Sequence, residues 1–561
     1  MIITKTLPPV YCMESDDDGS ITKPRIIGLL PGIAERYQEF TRQGEDHDVM
    51  WEFLLFLKEN YPGITLYAND SSDSDHKYIV NTLVRNEQTL DFPGGTTKIR
   101  WVEADITFMD SYNIMSMGLN KATRAMGVTR DLNGSNGHNP RVHSNCLALA
   151  EALSTYESLV QRHFPGICPL QSSTLSLTSV KIFDKKFFPL KQIHANEEHE
   201  HYVREATFAG RNEIFRRYGE NVKLYDIRGN YVSCYDFPVP IGKLQWITPN
   251  LQEGTLAEAQ VTVPDHMFIG PLPVRYGKRL LFPVGKLQGW WDMVELRFAA
   301  KLGCEVELLR QLKADEEPIM QDFGEKVCTL RDEAEYENFN PDLGRIYKNL
   351  GLRLVGKLGQ HRTRTEIIST ISIDNLCGWS PIDEGELYHE RTTRMSGSRM
   401  PYVKPALNMR IRAEARKRHL EYLLDAEKHG KLLYCDTDSV YTTADMPVGR
   451  EHGCLQLKDV APRAYFIKNK VYGYTDRTGK VRQRTAGFRD YAMSEAELQS
   501  LVNGNEVSCS WEGLPGWKEV LSLEDLEVVT RQRTIKDDGI YNRTILKDRI
   551  NTRPIKVEMF K

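Results

Sequence analysis

The sequence predicts a multi-domain protein of the α/β (α+β) class. A chain of 561 residues is too long for one hydrophobic core, so about three or four domains are expected. Segments with helical and with strand periodicity alternate throughout, without an internal repeat or a low-complexity linker. Helices are predicted at Glu151–Arg162, Asp292–Leu312 and Met409–His429, and strands near 221–235, 430–443 and 464–474.

The composition is that of a soluble globular protein, with 40% hydrophobic and 27% charged residues. No apolar run reaches the length of about 18 residues that a membrane span needs. The N-terminus has neither a signal-peptide core nor the pattern of a transit peptide, and the ten cysteines lack Cys-x-x-Cys spacing. We therefore expect reduced thiols, a cytoplasmic location in a bacterial or host cell, and no membrane partner.

The net charge of −4 hides an uneven distribution of charge. Residues 1–110 hold 19 acidic and 10 basic residues, whereas residues 391–420 hold 9 basic residues and 1 acidic residue. An acidic N-terminal part with basic stripes further on is typical of a protein that lays nucleic acid over part of its surface. For residues 410–421 a solvated helix face is the alternative.

The most informative segment is Tyr434-Cys-Asp-Thr-Asp-Ser439, which apolar and β-branched residues flank on both sides. The pattern predicts a β-hairpin with acidic residues at its turn. Asp436 and Asp438 are two residues apart, so in an extended chain they point to the same side, where they repel each other unless a cation lies between them. Oxygen ligands of this kind predict a divalent ion, with Mg²⁺ the first choice, and the alternative is a surface turn rich in aspartate. The string resembles the palm metal motif of the family B DNA polymerases.

A second segment carries the same resemblance. An apolar strand beginning at Val222 ends at Asp226, and an aromatic residue, Tyr231, follows five residues later. Family B polymerases have an Asp-x-x-Ser-Leu-Tyr-Pro-like motif at this point. This chain keeps the aspartate and the tyrosine but has Gly229-Asn230 and Val232 at the other positions.

The resemblance implies a role for each of these residues. Asp226, Asp436 and Asp438 would be catalytic, and two Mg²⁺ ions, which Mn²⁺ can replace, would be bound by Asp226, Asp438 and the carbonyl of Ile227. Tyr231 would lie under the sugar and exclude a 2′-hydroxyl, the group that distinguishes RNA from DNA. Considered without the hairpin, an aspartate after a strand is usually structural.

Residues 345–359 form a helix-like segment with Arg345 and Lys348 on one face. The family has a lysine here, followed four residues later by Asn-Ser-x-Tyr-Gly. Lys348 and Gly356 match this spacing, and the resemblance implies that Lys348 binds the triphosphate of the nucleotide. The asparagine, serine and tyrosine positions are replaced by Leu352, Arg353 and Val355. Arg345 is a second candidate for nucleotide binding, or a solvated helix charge.

Glycines inside this helix need an explanation, because each costs about 1 kcal/mol relative to alanine. Close approach of the backbone to a flat ligand such as a base pair is one reason to accept that cost. The glycines concerned are Gly351, Gly356 and Gly359.

Two further matches imply contacts with DNA. Lys470 and Tyr472 resemble a Lys-x-Tyr motif that follows the metal hairpin and touches the primer strand near its 3′ end. Gly210 and Arg211 resemble the end of a Tyr-x-Gly-Gly linker between the exonuclease and polymerase halves. In that linker the tyrosine has become Thr207 and the first glycine has become Ala209.

The N-terminal part departs from the family pattern. The family's 3′–5′ exonuclease uses a first motif Asp-x-Glu, a second motif with Asn and Asp, and a third motif Tyr-x-x-x-Asp. The chain offers Glu14 and Asp16 in inverted order for the first motif and Asp73 for the second. The third motif falls on Val142 and Cys146, and a thiol is a poor ligand for Mg²⁺.

Two-metal hydrolysis needs the full set of carboxylates. We therefore expect an RNase-H-like exonuclease fold that is kept while proofreading is weak or absent. The alternative is that Glu14, Asp16 and Asp73 suffice, with His143 or Asp75 as a substitute ligand.

The resemblance implies an exonuclease-like domain at 1–200, a palm and fingers at 201–500 and a thumb at 501–561. The spacing of the motifs is similar to that of the protein-primed phage and plasmid branch, with insertions at about 290–335 and 360–399. The expected function is template-directed DNA synthesis on a primer–template from dNTPs, with a terminal protein as a further partner. A primer-independent, primase-like polymerase and a non-catalytic DNA-binding scaffold of replication are the alternatives.

Overall fold

The computed structural model describes residues 7–17, 22–32, 37–129, 138–369, 378, 380–381, 388–395, 400–485, 492–520, 526–536 and 542–560. Helices and strands alternate through these ranges and form several sheets, which confirms the predicted multi-domain α/β class. In the described ranges, no helix has the length and apolar character that crossing a membrane requires.

Up to residue 205 the described strands are β1 (Val10–Asp17), β2 (Thr22–Leu30), β3 (Gln38–Thr41), β4 (Thr65–Ala68), β5 (Leu90–Asp91), β6 (Pro93–Thr96), β7 (Lys98–Trp101) and β8 (Ile106–Asp110). The helices of this part are α1 (Val49–Asn60), α2 (Asp75–Arg85), α3 (Ser111–Met115), α4 (Leu119–Met126), α5 (Pro140–His163), α6 (Leu175–Lys186) and α7 (Glu200–Glu205).

Between residues 206 and 400 the strands are β9 (Asn212–Ile214), β10 (Tyr218–Ile227), β11 (Val239–Pro240), β12 (Gln245–Ile247), β13 (Leu256–Val263), β14 (Val274–Tyr276), β15 (Arg279–Leu281), β16 (Val284–Asp292), β17 (Glu305–Lys313), β18 (Glu316–Glu317), β19 (Thr363–Ser369), β20 (Ser380–Pro381) and β21 (Tyr388–Arg394). The helices are α8 (Met293–Lys301), α9 (Gln321–Asp332) and α10 (Pro341–Leu358).

After residue 400 the strands are β22 (Leu432–Asp436), β23 (Ser439–Thr442), β24 (Leu455–Lys468), β25 (Val471–Thr475), β26 (Val481–Thr485), β27 (Val507–Gly513), β28 (Val529–Ile535), β29 (Arg543–Ile545), β30 (Thr552–Pro554) and β31 (Lys556–Phe560). The helices are α11 (Pro405–His429), α12 (Glu495–Val502) and α13 (Trp517–Val520).

The N-terminal part is built on a mixed sheet with the order β20-β21-β19-β5-β7-β8-β4-β1-β2-β3. Strands β1, β4 and β8 are parallel neighbours, and the other described pairings are antiparallel. One face packs on α1 and α2, and the other packs on α5. The hairpin β19–β21 extends this sheet through a pairing of Ile368 with Asp91, so part of the expected insertion at 360–399 lies at the sheet edge.

The central sheet positions the candidate site. It is antiparallel, with the order β26-β25-β24-β10-β23-β22-β9, and α11 packs against it. Helix α11 begins at Pro405, a residue whose fixed φ suits the first helical turn. A third sheet, β12-β17-β13-β16-β31, joins residues 245–313 to the C-terminal strand.

Two element predictions were partly wrong. The helix predicted at Asp292–Leu312 ends at Lys301, because Gly303 has a φ of +94° and turns the chain into strand β17. The strand predicted at 221–235 ends at Ile227, after which Gly229, with a φ of +59°, starts a turn that leads to a short 3₁₀ helix. The predicted helices at Glu151–Arg162 and Met409–His429 are confirmed within α5 and α11.

Candidate active site

The two aspartates of the predicted hairpin lie at the turn between β22 and β23. Asp436 pairs with Ser439, and Thr437 between them has a φ of +62°, which is uncommon for a β-branched residue. The Asp438 N–H donates to the Asp436 carbonyl oxygen (2.7 Å), and the Ser439 hydroxyl donates to the same oxygen (3.2 Å). These bonds hold the turn in a conformation that Thr437 would not favour by itself.

Strand β10 brings Asp226 to the same edge of the sheet. Asp226 pairs directly with Ser439, and the Ile227 N–H donates to the Asp438 carbonyl oxygen (2.8 Å). Burial raises the pKa of both Asp226 and Asp438, and the neighbouring Asp226 carboxylate raises that of Asp438 further, whereas Lys348 lowers both. The sheet therefore holds two carboxylates side by side, and a bound cation would favour their charged forms.

Asp436 lies at the same turn but has a different partner. The Lys470 Nζ donates to both of its carboxylate oxygens, at 2.8 and 3.1 Å. The nearby Tyr472 hydroxyl accepts a hydrogen bond from the Tyr441 hydroxyl (2.8 Å). Lys470 and Tyr472 therefore lie beside the hairpin, and their contact with primer DNA stays a prediction.

Gly210 and Arg211 contact the hairpin turn at Thr437. A Cβ atom at Gly210 would lie 2.7 Å from Thr437 Cγ2 and 3.0 Å from Thr437 Cα, and the Arg211 carbonyl oxygen accepts from the Thr437 N–H (2.7 Å). The Arg211 side chain is 2% exposed, and its guanidinium donates to Glu213 (2.6 Å) and to the Gly270 carbonyl (2.7 Å). The predicted DNA contact of this guanidinium is therefore contradicted, because the group is buried and neutralised within the protein.

One recess beside the aspartates contains the predicted nucleotide-binding residues Tyr231 and Lys348. Its lining comprises Gly229, Asn230, Tyr231, Val232, Val327, Cys328, Arg331, Tyr347, Lys348, Leu352, Asp438 and His452. Arg345 is exposed and lines a different recess, together with Lys121 and Arg141 of the N-terminal part. Lys348 and Arg345 thus do not share a binding pocket in this structure.

The glycines of α10 pack mainly against the protein itself. A Cβ at Gly351 would lie 2.7 Å from a methyl group of Val232, and one at Gly359 would lie 2.4 Å from the side chain of Asn408. At Gly356 no described atom lies within 4 Å. The expectation of close approach to a flat ligand is therefore wrong for Gly351 and Gly359, whose contacts are internal.

The three positions that depart from the family's fingers motif have separate roles. Leu352 is 37% exposed in the recess, the Arg353 guanidinium donates to the Ser116 hydroxyl (2.6 Å), and Val355 is buried. Arg353 thereby links α10 to the N-terminal part of the chain. These contacts are structural for Arg353 and Val355, while Leu352 is accessible from the recess.

Two arginines of the basic stripe on α11 have neither of the roles that the sequence indicated. Arg410 is 4% exposed and donates to Asp292 and Glu316, and Arg416 is 6% exposed and donates to both oxygens of Glu295 (2.8 Å each). These two arginines form buried ion pairs, so they are neither a nucleic-acid surface nor a solvated face.

Three basic residues that the sequence did not single out act on the site. Arg331 and Lys458 both lower the pKa of Asp226, although burial outweighs them. Arg412 of α11 lies close to Tyr231, and its Nε is a buried donor without a hydrogen-bond partner among the described residues. An unpaired buried donor on a cation is costly, which makes Arg412 a candidate anion ligand that only the packing of α11 reveals.

The N-terminal candidates do not converge on a metal site. Glu14 is held by Arg25 and Arg141, both at 3.1 Å, and the side chain of Asp16 lies outside the described residues. Asp73 lines a separate shallow recess with Asp70, Ser72, Thr97, Tyr112 and Asn113. His143 packs edge-on against the ring of Tyr37 (4.4 Å between centroids).

Strand β1 presents Cys12 and Glu14, two residues apart, to helix α5. Cys12 contacts Cys146, and Glu14 contacts Arg141. A thiol and a carboxylate therefore stand where the family pattern would require two carboxylates facing the third motif. Because the side chain of Asp16 lies outside the described residues, the first motif of Glu14 and Asp16 stays a prediction.

No group of three or more His, Cys, Asp or Glu side chains in the described ranges could by itself hold a metal ion. In the central sheet the converging donors are the carboxylates of Asp226 and Asp438, with the backbone at Ile227 next to them. Hard oxygen donors of this kind suit Mg²⁺, so the donor chemistry fits the ion even though the protein supplies few of its ligands.

Comparison with known proteins identifies the family. Residues 142–422, half of the chain, match the family model for DNA polymerase type B, organellar and viral. The chain therefore belongs to this family. It also has the fold of Phi29 DNA polymerase, with a TM-score of 0.68 and 15% identity over 95% of this chain and 99% of that one, in a complex with primer–template DNA and incoming nucleotides. A binary complex of the same polymerase with primer–template DNA gives a TM-score of 0.69 at 14% identity, over 95% of this chain and 100% of that one.

Curated relatives are considerably longer than this chain. A probable DNA polymerase of Podospora anserina is 22% identical over 503 residues, which cover 72% of this chain and 41% of that protein. A probable DNA polymerase of Neurospora intermedia is 21% identical over 371 residues, which cover 60% of this chain and 37% of that protein. The chain thus spans well under half the length of these relatives.

Proposed function

We propose that the chain is a template-directed DNA polymerase that adds deoxynucleotides to the 3′-hydroxyl of a primer. The observation that carries this proposal is the pairing of Asp226 with Ser439, which sets two carboxylates side by side at the mouth of the recess that holds Lys348 and Tyr231. Family membership and the Phi29-like fold support it.

The donor set supports a divalent cofactor, and family B DNA polymerases generally use divalent metal ions. Asp226, Asp438 and the Ile227 carbonyl would hold Mg²⁺, with Mn²⁺ as a substitute. A metal ion held by these residues would supply Lewis-acid chemistry: it would lower the pKa of the attacking hydroxyl and neutralise charge on the departing pyrophosphate.

The chain's own residues orient the reactants. Lys348 lines the same recess as Asp438 and lowers the pKa of that carboxyl, which supports a role for its ammonium group in binding the phosphates of a nucleotide. Tyr231 lines the same recess and would lie against the sugar, where its ring leaves no room for a 2′-hydroxyl. Lys470 donates two hydrogen bonds to the Asp436 carboxylate. These bonds stabilise the turn that also carries Asp438. We assign Asp436 to positioning and Asp226 and Asp438 to metal binding.

We further propose that 3′–5′ exonuclease activity is weak or lost. Cys12 and Cys146 face each other at the place where the family pattern has carboxylates, and Glu14 is neutralised by two arginines. Thiols are soft ligands, and hydrolysis with two hard cations needs oxygen donors.

Protein priming is the proposed mode of initiation. The chain's fold is that of Phi29 DNA polymerase, and the hairpin β19–β21 lies in the range expected for a branch-specific insertion. The partner would be a terminal protein that offers a side-chain hydroxyl as the first primer.

The test is primer extension with the purified chain, a 5′-labelled primer–template and Mg²⁺, with and without the four dNTPs. Extension with dNTPs and an intact primer without them is the expected result. Shortening without dNTPs would contradict the loss of the exonuclease. Failure to extend despite binding in a gel shift would favour the scaffold alternative, and synthesis on unprimed single strands without an added protein would favour the primase-like alternative.

A further inference from the structure

Two cysteines face each other between strand β1 and helix α5. Cys12 pairs with Gly28 across the β1–β2 ladder, and the Cys146 thiol donates to the Gly28 carbonyl oxygen (3.4 Å). Burial raises the pKa of the Cys146 thiol and the neighbouring Cys12 raises that pKa further, so the two thiols lie close together. Both sulfur atoms therefore lie over the same residue of the sheet.

The helix approaches the sheet closely at this point because Gly28 has no side chain. A Cβ atom there would lie 2.7 Å from Val142 Cγ1, one helical turn before Cys146. The Cα atoms of α5 come within 8 Å of those of β1 and β2. A disulfide requires Cα atoms about 4.4–6.8 Å apart, and the close approach of α5 to the sheet at Gly28 favours such a separation.

The two thiols differ in their access to solvent. Cys146 is 0% exposed and lies among apolar side chains of α5 and the sheet, including Val10 and Leu149. Cys12 is half-buried at the margin of the same cluster. An oxidant from solution would therefore reach Cys12 first.

The surroundings favour a covalent bond over a metal. No third His, Cys, Asp or Glu side chain completes a metal-holding group with these two sulfurs in the described ranges. Arg25 and Arg141 both form ion pairs with Glu14, two residues after Cys12. These ion pairs do not involve the two sulfur atoms.

We propose that Cys12 and Cys146 form an oxidisable dithiol whose disulfide joins β1 to α5, with hydrogen peroxide as the oxidant. The Cys12 thiolate attacks one peroxide oxygen, the O–O bond breaks, and hydroxide leaves as Cys12 becomes a sulfenic acid. The Cys146 sulfur then attacks the Cys12 sulfur as its thiol gives up its proton, and a second hydroxide is displaced. The two protons from the thiols convert both hydroxides to water, so that two thiols are oxidised and one peroxide is reduced.

The disulfide would join α5 to the sheet by linking Cys12 to Cys146, two residues that are far apart in the chain. Cross-links that close long loops restrict the unfolded chain most, so the oxidised N-terminal part should melt at a higher temperature than the reduced one. A thiol pair of this kind turns the remnant of a metal site into a site of reversible oxidative modification.

The experiment treats the purified full chain with hydrogen peroxide, blocks the remaining thiols with N-ethylmaleimide and maps peptides by mass spectrometry without reduction. The expected result is a Cys12 peptide joined to a Cys146 peptide, lighter than the sum of the two by two hydrogen atoms. Dithiothreitol should separate them. Recovery of Cys146 alkylated while Cys12 carries a sulfinic or sulfonic acid would overturn the proposal.

The wild-type map decides the proposal even if a variant fails to fold. With Cys146→Ser, Cys12 should proceed to the sulfinic acid because no resolving thiol remains. Cys168→Ser is the matched control, since Cys168 is a half-buried cysteine of the same part of the chain, and it should keep the cross-link. Loss of the cross-link in Cys168→Ser, or its persistence in Cys146→Ser, would contradict the assignment.

Discussion

One methyl group added at Gly210 tests whether the hairpin turn sets the geometry of the aspartates. In Gly210→Ala the new Cβ would lie 2.7 Å from Thr437 Cγ2, 2.9 Å from Thr437 Oγ1 and 3.0 Å from Thr437 Cα. A side-chain rotation relieves the first two contacts but not the third, because that atom belongs to the backbone. The turn that carries Asp436 and Asp438 must therefore move.

The size of the effect follows from this displacement. Overpacking of this kind costs about 1–3 kcal/mol, which should lower the melting temperature without unfolding the chain. A misplacement of catalytic groups by about 1 Å costs on the order of 100-fold in rate, and the backbone contact at 3.0 Å calls for a smaller shift, so we expect kcat to fall by about 10-fold. The KM for the nucleotide should change much less, since Lys348 belongs to α10, an element separate from the turn.

The assay is single-turnover extension of a labelled primer at saturating dNTP, with melting followed by circular dichroism. Gly44→Ala is the matched control, because no described atom lies within 4 Å of the Cβ it would add. Wild-type kcat in Gly210→Ala, with the melting temperature lowered as expected, would refute the link between the turn and catalysis. Equal losses in both variants would point to a general effect of the substitution.

Four further outcomes are expected. Asp438→Asn should reduce extension by at least about 100-fold, because the metal loses a charged ligand, while gel shifts still detect primer–template binding. Tyr231→Ala should improve incorporation of ribonucleotides relative to deoxyribonucleotides by about 10- to 200-fold, measured as a ratio of kcat/KM values. Arg412→Met should weaken primer–template binding about 10-fold or more and reduce the slope of log K against log salt by about one. Burial lowers the pKa of His419 from 6.5 to about 4, so its stabilisation is complete above pH 6.5 and is lost as the pH falls to 4, by up to about 3 kcal/mol. His419→Gln should flatten the dependence of the melting temperature on pH in that window, and an unchanged dependence would contradict the assignment.

The pH prediction rests on a specific arrangement. The His419 Nε2 lies 3.0 Å from the Ser439 carbonyl oxygen, and its Nδ1 is buried without a hydrogen-bond partner among the described residues. Protonation would add a second N–H that has no acceptor there, which is why the neutral ring is favoured. Because other buried acids titrate in the same range, the difference between variant and wild type is the quantity to compare.

Sequence patterns predicted the features that depend on local chemistry. The hairpin with Asp436 and Asp438 follows from strand propensity on both sides of a polar turn, and helix α10 follows from its periodicity. Asp226 could be placed next to them only through the family resemblance, because β10 and β23 are far apart in the chain and their pairing is not encoded locally.

The features that could not be predicted depend on long-range packing. The charges of Arg410 and Arg416 suggested a nucleic-acid surface, but the buried carboxylates of Asp292 and Glu295, far away in the chain, neutralise them. The strand at Glu305–Lys313 was predicted as part of a helix, because its apolar positions fit both the helical and the strand period. Gly303, just before this strand, turns the chain and ends the helix. The closeness of Cys12 and Cys146 became visible only from the packing of α5 on the sheet at Gly28.

The N-terminal part has a structural reason to persist even without nuclease activity. Its helices α4, α5 and α6 share one hydrophobic cluster with α9, α10 and α11 of the polymerase part. The Ser179 hydroxyl donates to the Leu350 carbonyl in the middle of α10 (2.6 Å), and Ser116 accepts from Arg353 of the same helix. Lys348 lies on this helix, so the N-terminal part braces the residue proposed to bind the triphosphate. Substitutions of metal-binding carboxylates by thiols would leave that support intact, whereas loss of the fold would remove it from the polymerase site.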